Sequence, residues 1–161
     1  MTYHALLSPS SSARWLNCAG SVEANKGYKD ESSPFAMEGT RAHEVADICL
    51  KNGKDAEHLV GKQVLGETIE RDMAEYVQSY IDYVRAHETK GSTLYTEERV
   101  DFSNYVPDGS GTLDSAVVVP EERICHIFDL KYGKGVKVEA FQNTQGLCYA
   151  VGMLNELHFM N

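Results

Sequence analysis

The stretch Gly109-Ser-Gly-Thr-Leu-Asp114-Ser-Ala-Val-Val-Val119, Pro120-Glu-Glu-Arg123, Ile124-Cys-His-Ile-Phe-Asp129-Leu-Lys131 decides how the chain folds. Residues 116–119 and 124–128 are rich in β-branched and aromatic side chains, and a polar four-residue break divides them. Such a pattern predicts a β-hairpin. With the turn centred on Glu121-Glu122, residues whose numbers add to 243 face each other, so Asp114 lies opposite Asp129 and Thr112 opposite Lys131. Side chains alternate along a strand, so Asp129 and Lys131 share a face. Opposed residues sit roughly 4.5–5.5 Å apart at Cβ, close enough for two carboxylates to repel. A divalent cation between them reverses the sign of that effect. Deeper along the same face come the apolar Ala116, Val118, Cys125 and Ile127. Glu-Glu is not a favoured tight-turn pair, and a one-residue bulge would send the two aspartates to opposite faces.

The ordered set Gly111-Thr-Leu-Asp114, Asp129-Leu-Lys131 and Gln145-x-x-x-Tyr149, on strand, strand and helix, resembles the core of the PD-(D/E)xK nuclease superfamily. Within it the set is similar to the RecB-type exonuclease branch, including its phage and prophage members. The resemblance implies an α/β fold: a restriction-endonuclease-like mixed sheet of at least three strands, flanked by helices. It also implies that Asp114 and Asp129 bind metal, with the Leu130 main-chain carbonyl as a further ligand. Lys131 then acts on the attacking water or on transition-state charge, and Gln145 and Tyr149 lie beside it to position lysine or substrate. Glu38-Gly-Thr-Arg-Ala-His43 resembles the Gly-Thr-x-x-His element of the same branch, which makes His43 an additional ligand. By spacing alone, His43 and Asp47 at i and i+4 read as a polar helix flank, and it is the resemblance that favours a ligand. Asp47 and Glu44 are weaker candidates.

With 161 residues the chain has enough length for one domain with a core, and 42% hydrophobic residues place it among globular proteins. The net charge of −9 excludes a broad basic nucleic-acid surface but not a metal site, which is itself acidic. The four cysteines, at 18, 49, 125 and 148, form no Cys-x-x-Cys pair, so a zinc ribbon is not expected. The segment from Ser8 to Cys18 resembles the opening of RecB-type domains, some of which use a cysteine here on an iron–sulfur cluster. The C-terminal trio of cysteines that joins it in those domains does not follow, so no cluster is expected. There is no apolar stretch of membrane-spanning length and no signal-like opening, which places the protein in the cytoplasm of a bacterial host, with a phage-encoded origin equally consistent.

Taken in order, Ser8-Pro9 predicts a helix start, with Gly20 as its stop. Residues 21–33 read as a loop. Ser33-Pro34 predicts a second helix ending at Gly53, with Ala42, Val45, Ala46, Cys49 and Leu50 as its buried stripe. Residues 53–66 read as loop. A long helix follows over 67–90, with Ile69, Met73, Tyr76, Val77, Tyr80 and Val84 inward and its tyrosines serving packing rather than base stacking. The first strand spans 94–102, and Glu97 or Glu98 is in reach of the metal site from it. After a turn over 103–111 comes the hairpin, then a loop in which Lys134 and Lys137 are candidates to contact DNA phosphates. The last helix covers 139–157, with Leu147, Ala150, Val151, Leu154 and Leu157 buried and Gln142, Gln145 and Tyr149 sharing another face. Gln142 joins the candidate DNA contacts. Residues 157–161 leave room for the start of one more strand, and a second copy or a partner chain is expected to cover the open edge.

The expected organisation is one nuclease domain over 1–161: an N-terminal helix and loop (1–33), a helical part (34–91), and the catalytic sheet with its last helix (92–161). The expected activity is Mg²⁺- or Mn²⁺-dependent hydrolysis of DNA, acting from ends, since hard cations take oxygen ligands and an imidazole favours Mn²⁺. A non-catalytic binding module that kept the fold is the alternative.

Overall fold

A computed structural model describes residues 6–26, 33–133 and 137–158. A single 3-10 turn, Pro9–Ser11, leads into helix α1 (Ser12–Asn17), which is followed by α2 (Gly20–Ala24). Helix α3 spans Pro34–Asn52, a second 3-10 turn covers Ala56–Leu59, and β1 (Gln63–Val64) pairs with β2 (Glu67–Thr68). Then come α4 (Arg71–Arg85), β3 (Thr93–Asp101), β4 (Ser110–Val119), β5 (Ile124–Phe128) and α5 (Thr144–His158). The fold is α/β, and its main sheet has the order β3-β4-β5. No helix among the described residues is long and apolar enough to cross a membrane.

The hairpin takes the predicted register. Ser115 pairs with Phe128, Val117 with His126, and Val119 with Ile124. One further step sets Asp114 opposite Asp129. The connection is a four-residue loop in which Arg123 N–H donates to the Pro120 carbonyl and Arg123 itself takes φ 54°. The left-handed residue sits after the glutamates, so the loop closes without a favoured dipeptide in its middle.

The chain divides into two compact units. One comprises Met1–Asp30, Glu98–Leu113 and Glu139–Asn161; the other comprises Glu31–Glu97 and Asp114–Val138. In the second unit α3 behaves as its sequence requires. Ser33 Oγ accepts from Ala36 N–H at 3.2 Å, Pro34 opens the first turn, and Gly53 closes the helix in the left-handed region at φ 61°. Ala42, Val45, Ala46, Cys49 and Leu50 are all buried, and they pack with Met73, Val77, Ile81 and Val84 of α4 and with Val117, Val119, Phe128 and Leu130. Each large aliphatic side chain so buried contributes about 1.5–3 kcal/mol.

Several expectations need correction. Gly20 begins α2 rather than ending α1, because Cys18 is extended (φ −146°, ψ 97°) and already breaks the helix. Residues 53–66 are not all loop, and 67–69 are not helical. Ile69 N–H donates to Lys62 O, and Gly61 N–H donates to Ile69 O, so these residues belong to a small hairpin. Helix α4 therefore starts only after Glu70. Tyr76 is 71% exposed, and Ala74 and Ile81 take inward positions instead.

In the first unit α5 starts at Thr144, not 139. Gln142 has φ 55°, and Asn143 Oδ1 accepts from Gly146 N–H at 3.0 Å as the helix cap. Gln142 is thus outside the helix and does not share a helical face with Gln145. The buried side of α5 holds Tyr149, Gly152 and Met153, while Leu147 and Leu154 are exposed. Residues 157–158 are helical rather than the start of a strand, and 159–161 lie outside the described residues.

Candidate metal centre

The second unit brings together titratable groups from a helix and two strands. His43, near the middle of α3, points its Nδ1 at Asp114 Oδ1 of β4, 3.1 Å away. Glu97 of β3 joins them. Each of the three side chains offers a ligand atom, and these atoms all lie within 4.8 Å of one another. Asp114 is held by its other oxygen, which accepts the Leu130 main-chain N–H. Leu130 thus fixes the Asp114 carboxylate through its amide. Across the hairpin, Asp129 stands outside the triad, with its Oδ2 on the Lys131 ammonium at 2.5 Å.

Glu97 is the residue the sequence placed least firmly, and its backbone explains why. It sits inside a strand at φ 49°, in the left-handed region where a non-glycine residue is strained. A strand that alternates regularly gives no signal of such a break.

The electrostatics of the cluster are those of crowded anions. Partial burial, with the Asp114 charge next, holds the Glu97 carboxyl above its usual range against the attraction of His43. Asp129 is also raised, first by burial, which the hydrogen bond from Lys131 only partly offsets. Burial disfavours the charged form of His43, but the hydrogen bond to Asp114 and the charges of Asp114, Glu97 and Asp129 outweigh it. Its pKa is therefore raised from 6.5. Tyr80 donates to or accepts from Ser115 Oγ at 2.6 Å, and burial pushes its phenol up, so it stays neutral. Asp47, one turn beyond His43, is tied by Oδ2 to Lys51 at 2.8 Å, while its Oδ1 is buried and makes no hydrogen bond. Glu44 and Asp47 add negative charge at Glu97.

The remaining candidates are placed as follows. Gln145 Nε2 donates to Tyr149 Oη at 3.2 Å within the first unit, and Tyr149 is 5% exposed. Gln142, in the same unit, is exposed. Lys137 is exposed in the second unit, and Lys134 lies outside the described residues.

One imidazole nitrogen and carboxylate oxygens from Glu97 and Asp114, with Asp129 opposite, form a donor set suited to a hard or borderline divalent cation. The fit also rests on charge. Three carboxylates face one imidazole and one ammonium, and two of them are held above their usual range by burial and mutual repulsion. No solved structure matches the chain. Over residues 4–161 it matches the sequence profile of the family described as "Protein of unknown function (DUF2800)", and it belongs to that family.

Proposed function

We propose that the chain is a metal-dependent nuclease that hydrolyses phosphodiester bonds of DNA from its ends, with a centre of the PD-(D/E)xK kind. The observation that carries this reading is the convergence of His43, Glu97 and Asp114 from one helix and two strands, with ligand atoms within 4.8 Å of one another. A purely structural role gives no reason to gather carboxylates in this way. His43, Glu97 and Asp114 would hold Mg²⁺ or Mn²⁺, and Asp129 would complete the set from the facing strand. A bound divalent ion polarises the scissile phosphate and lowers the pKa of water.

The rest falls to the protein's own groups. Hydrolysis joins the oxygen of a water to phosphorus and breaks the bond to the leaving nucleotide oxygen, which takes up a proton. Lys131, anchored on Asp129, orients the attacking water and neutralises charge gathering on the phosphoryl oxygens. Leu130 N–H keeps Asp114 turned towards His43.

The test compares end-labelled linear DNA with closed circular DNA in Mg²⁺, in Mn²⁺ and in EDTA. Linear DNA should be degraded only with metal. Asp114→Ala and Lys131→Ala should each lower the rate on the order of a hundredfold or more, with circular dichroism unchanged. Near-normal cleavage by Lys131→Ala would refute the mechanism. A metal-dependent thermal shift that needs Asp114, without cleavage of any DNA, would instead identify a binding module that kept the fold.

A further inference from the structure

A second group of rings lies in the second unit, built by residues outside the centre described above. His87 follows the end of α4, and His126 projects from β5, opposite Val117. Their ring centres are 4.6 Å apart at an interplanar angle of 57°. Tyr83 and Phe128 pack edge-on against His87, at 4.9 and 5.1 Å, and Phe128 lies beside His126 at 6.3 Å. Both imidazoles are partly exposed.

His87 Nδ1 is 2.8 Å from the Tyr83 carbonyl oxygen. A carbonyl only accepts, so the proton of the neutral ring is on Nδ1 and the lone pair is on Nε2. This is the orientation that metal-binding histidines take, one ring nitrogen donating to a carbonyl and the other left for the ion.

The separation of the rings fits a shared ion as well. A metal–nitrogen bond of about 2.0–2.1 Å puts the ion about 3.2 Å from each ring centre. With one nitrogen of each ring turned to a common ion, a ring separation of 4.6 Å corresponds to a nitrogen–metal–nitrogen angle of roughly a right angle. Right angles are those of square-planar and octahedral sites. Imidazole pairs with water filling the other positions suit Ni²⁺ and Cu²⁺ in that geometry, with Zn²⁺ reached by a small opening of the angle. Packing alone explains the Phe128 contacts but gives no reason for two imidazoles with one tautomer fixed.

We propose that His87 and His126 form a borderline transition-metal site, for Ni²⁺, Cu²⁺ or Zn²⁺, separate from the carboxylate centre. It binds the ion through two imidazole nitrogens and water, and links the end of α4 to β5. An ion bound to the folded state alone raises its stability.

Metal-stripped protein is titrated with NiCl₂ in excess Mg²⁺, followed by calorimetry and by thermal unfolding. The expected result is a Ni²⁺ site that raises the melting temperature and that persists in His43→Ala, where the carboxylate centre has lost its imidazole; the variants below are made in that background. In His87→Gln and in His126→Gln its affinity should fall at least tenfold. If either variant is poorly folded, Cu²⁺-induced broadening of histidine ring signals in the unmodified protein decides. The His87 and His126 resonances should bleach first and together. Retention of the Ni²⁺ site in both glutamine variants, its loss in His43→Ala, or bleaching of His43 alone overturns the proposal.

Discussion

Glu97 holds its place at a cost. Its backbone at φ 49° carries the strain of a left-handed non-glycine residue, and its carboxylate sits against Asp114. In metal-free protein both effects oppose folding. Glu97→Gly removes them together. The gain is on the order of 1–2 kcal/mol for the backbone, offset by about 0.5–1 kcal/mol of extra chain entropy. The metal-free variant should therefore range from unchanged to about 1.5 kcal/mol more stable in urea unfolding with EDTA. Its Mn²⁺ affinity should fall at least tenfold by calorimetry. A clear loss of metal-free stability would show that Glu97 supports the strand rather than the site. Asp114 was legible through the regular register of the hairpin, and His43 only through its resemblance to the Gly-Thr-x-x-His element, since spacing alone reads as a polar helix flank. Glu97 could not be told from Glu98, because its side chain reaches the cluster through an irregular backbone.

At the scale of elements, the junction of α3 and α4 illustrates how a short segment is pinned. Arg85 Nη1 donates to Asp55 Oδ1 at 2.6 Å, and its Nη2 donates to the Lys54 carbonyl at 2.8 Å. Gln78 Oε1 accepts from Ala56 N–H at 2.7 Å. The hydrogen bond from Arg85 holds the Asp55 carboxyl below its ordinary 3.8. A depressed folded-state pKa contributes stability that is present above the unfolded value and is lost as pH falls through the folded value. Asp55→Asn should therefore reduce the melting temperature slightly near neutral pH, and its curve should converge with that of the parent only below the ordinary carboxylate range. The pair is on the surface, so the difference is small and should shrink further in high salt. A difference that grew on acidification would contradict the sign of the coupling.

Helix α5 gives the opposite case, an element whose inward face the sequence hid. Leu147 and Leu154 mark an apolar stripe by spacing, yet both are exposed, Leu154 by 62%. The helix instead faces inward with Tyr149, Gly152 and Met153. A Cβ on Gly152 would lie 2.7 Å from Val100 Cβ, so the helix comes this close to Val100 of β3 because Gly152 has no side chain. Contact through an absent side chain leaves no apolar signal to count. In an open helix Gly→Ala gains about 1 kcal/mol, but overpacking costs about 1–3 kcal/mol. Gly152→Ala should thus destabilise the protein by up to about 2 kcal/mol, the difference of those terms. Adding Val100→Ala should recover part of the loss in a double-mutant cycle, whereas strictly additive effects would mean the two residues do not meet.

For the whole molecule the net charge of −9 sets how a polyanion could be bound. Part of the cationic charge is already paired: Arg71 with Glu57, Arg85 with Asp55, Lys51 with Asp47 and Lys26 with Glu23. Beyond a Debye length of about 8–10 Å the excess negative charge is screened, so only contacts at the centre itself can hold a phosphate chain. In the second unit Lys131 lies at that centre, and Lys137 follows it along the chain. Two or three phosphate contacts give a slope of log affinity against log salt of about −2 to −3, since each contact releases about 0.9 counterion. A broad basic face with six or more contacts would give about twice that or more. Titrating fluorescent DNA at several NaCl concentrations, with Ca²⁺ in place of Mg²⁺ to stop cleavage, should return the shallow value, and Lys137→Ala should lessen the slope by about one. A flat response would remove DNA as the ligand, and a steep one would require a basic surface that the sequence does not contain.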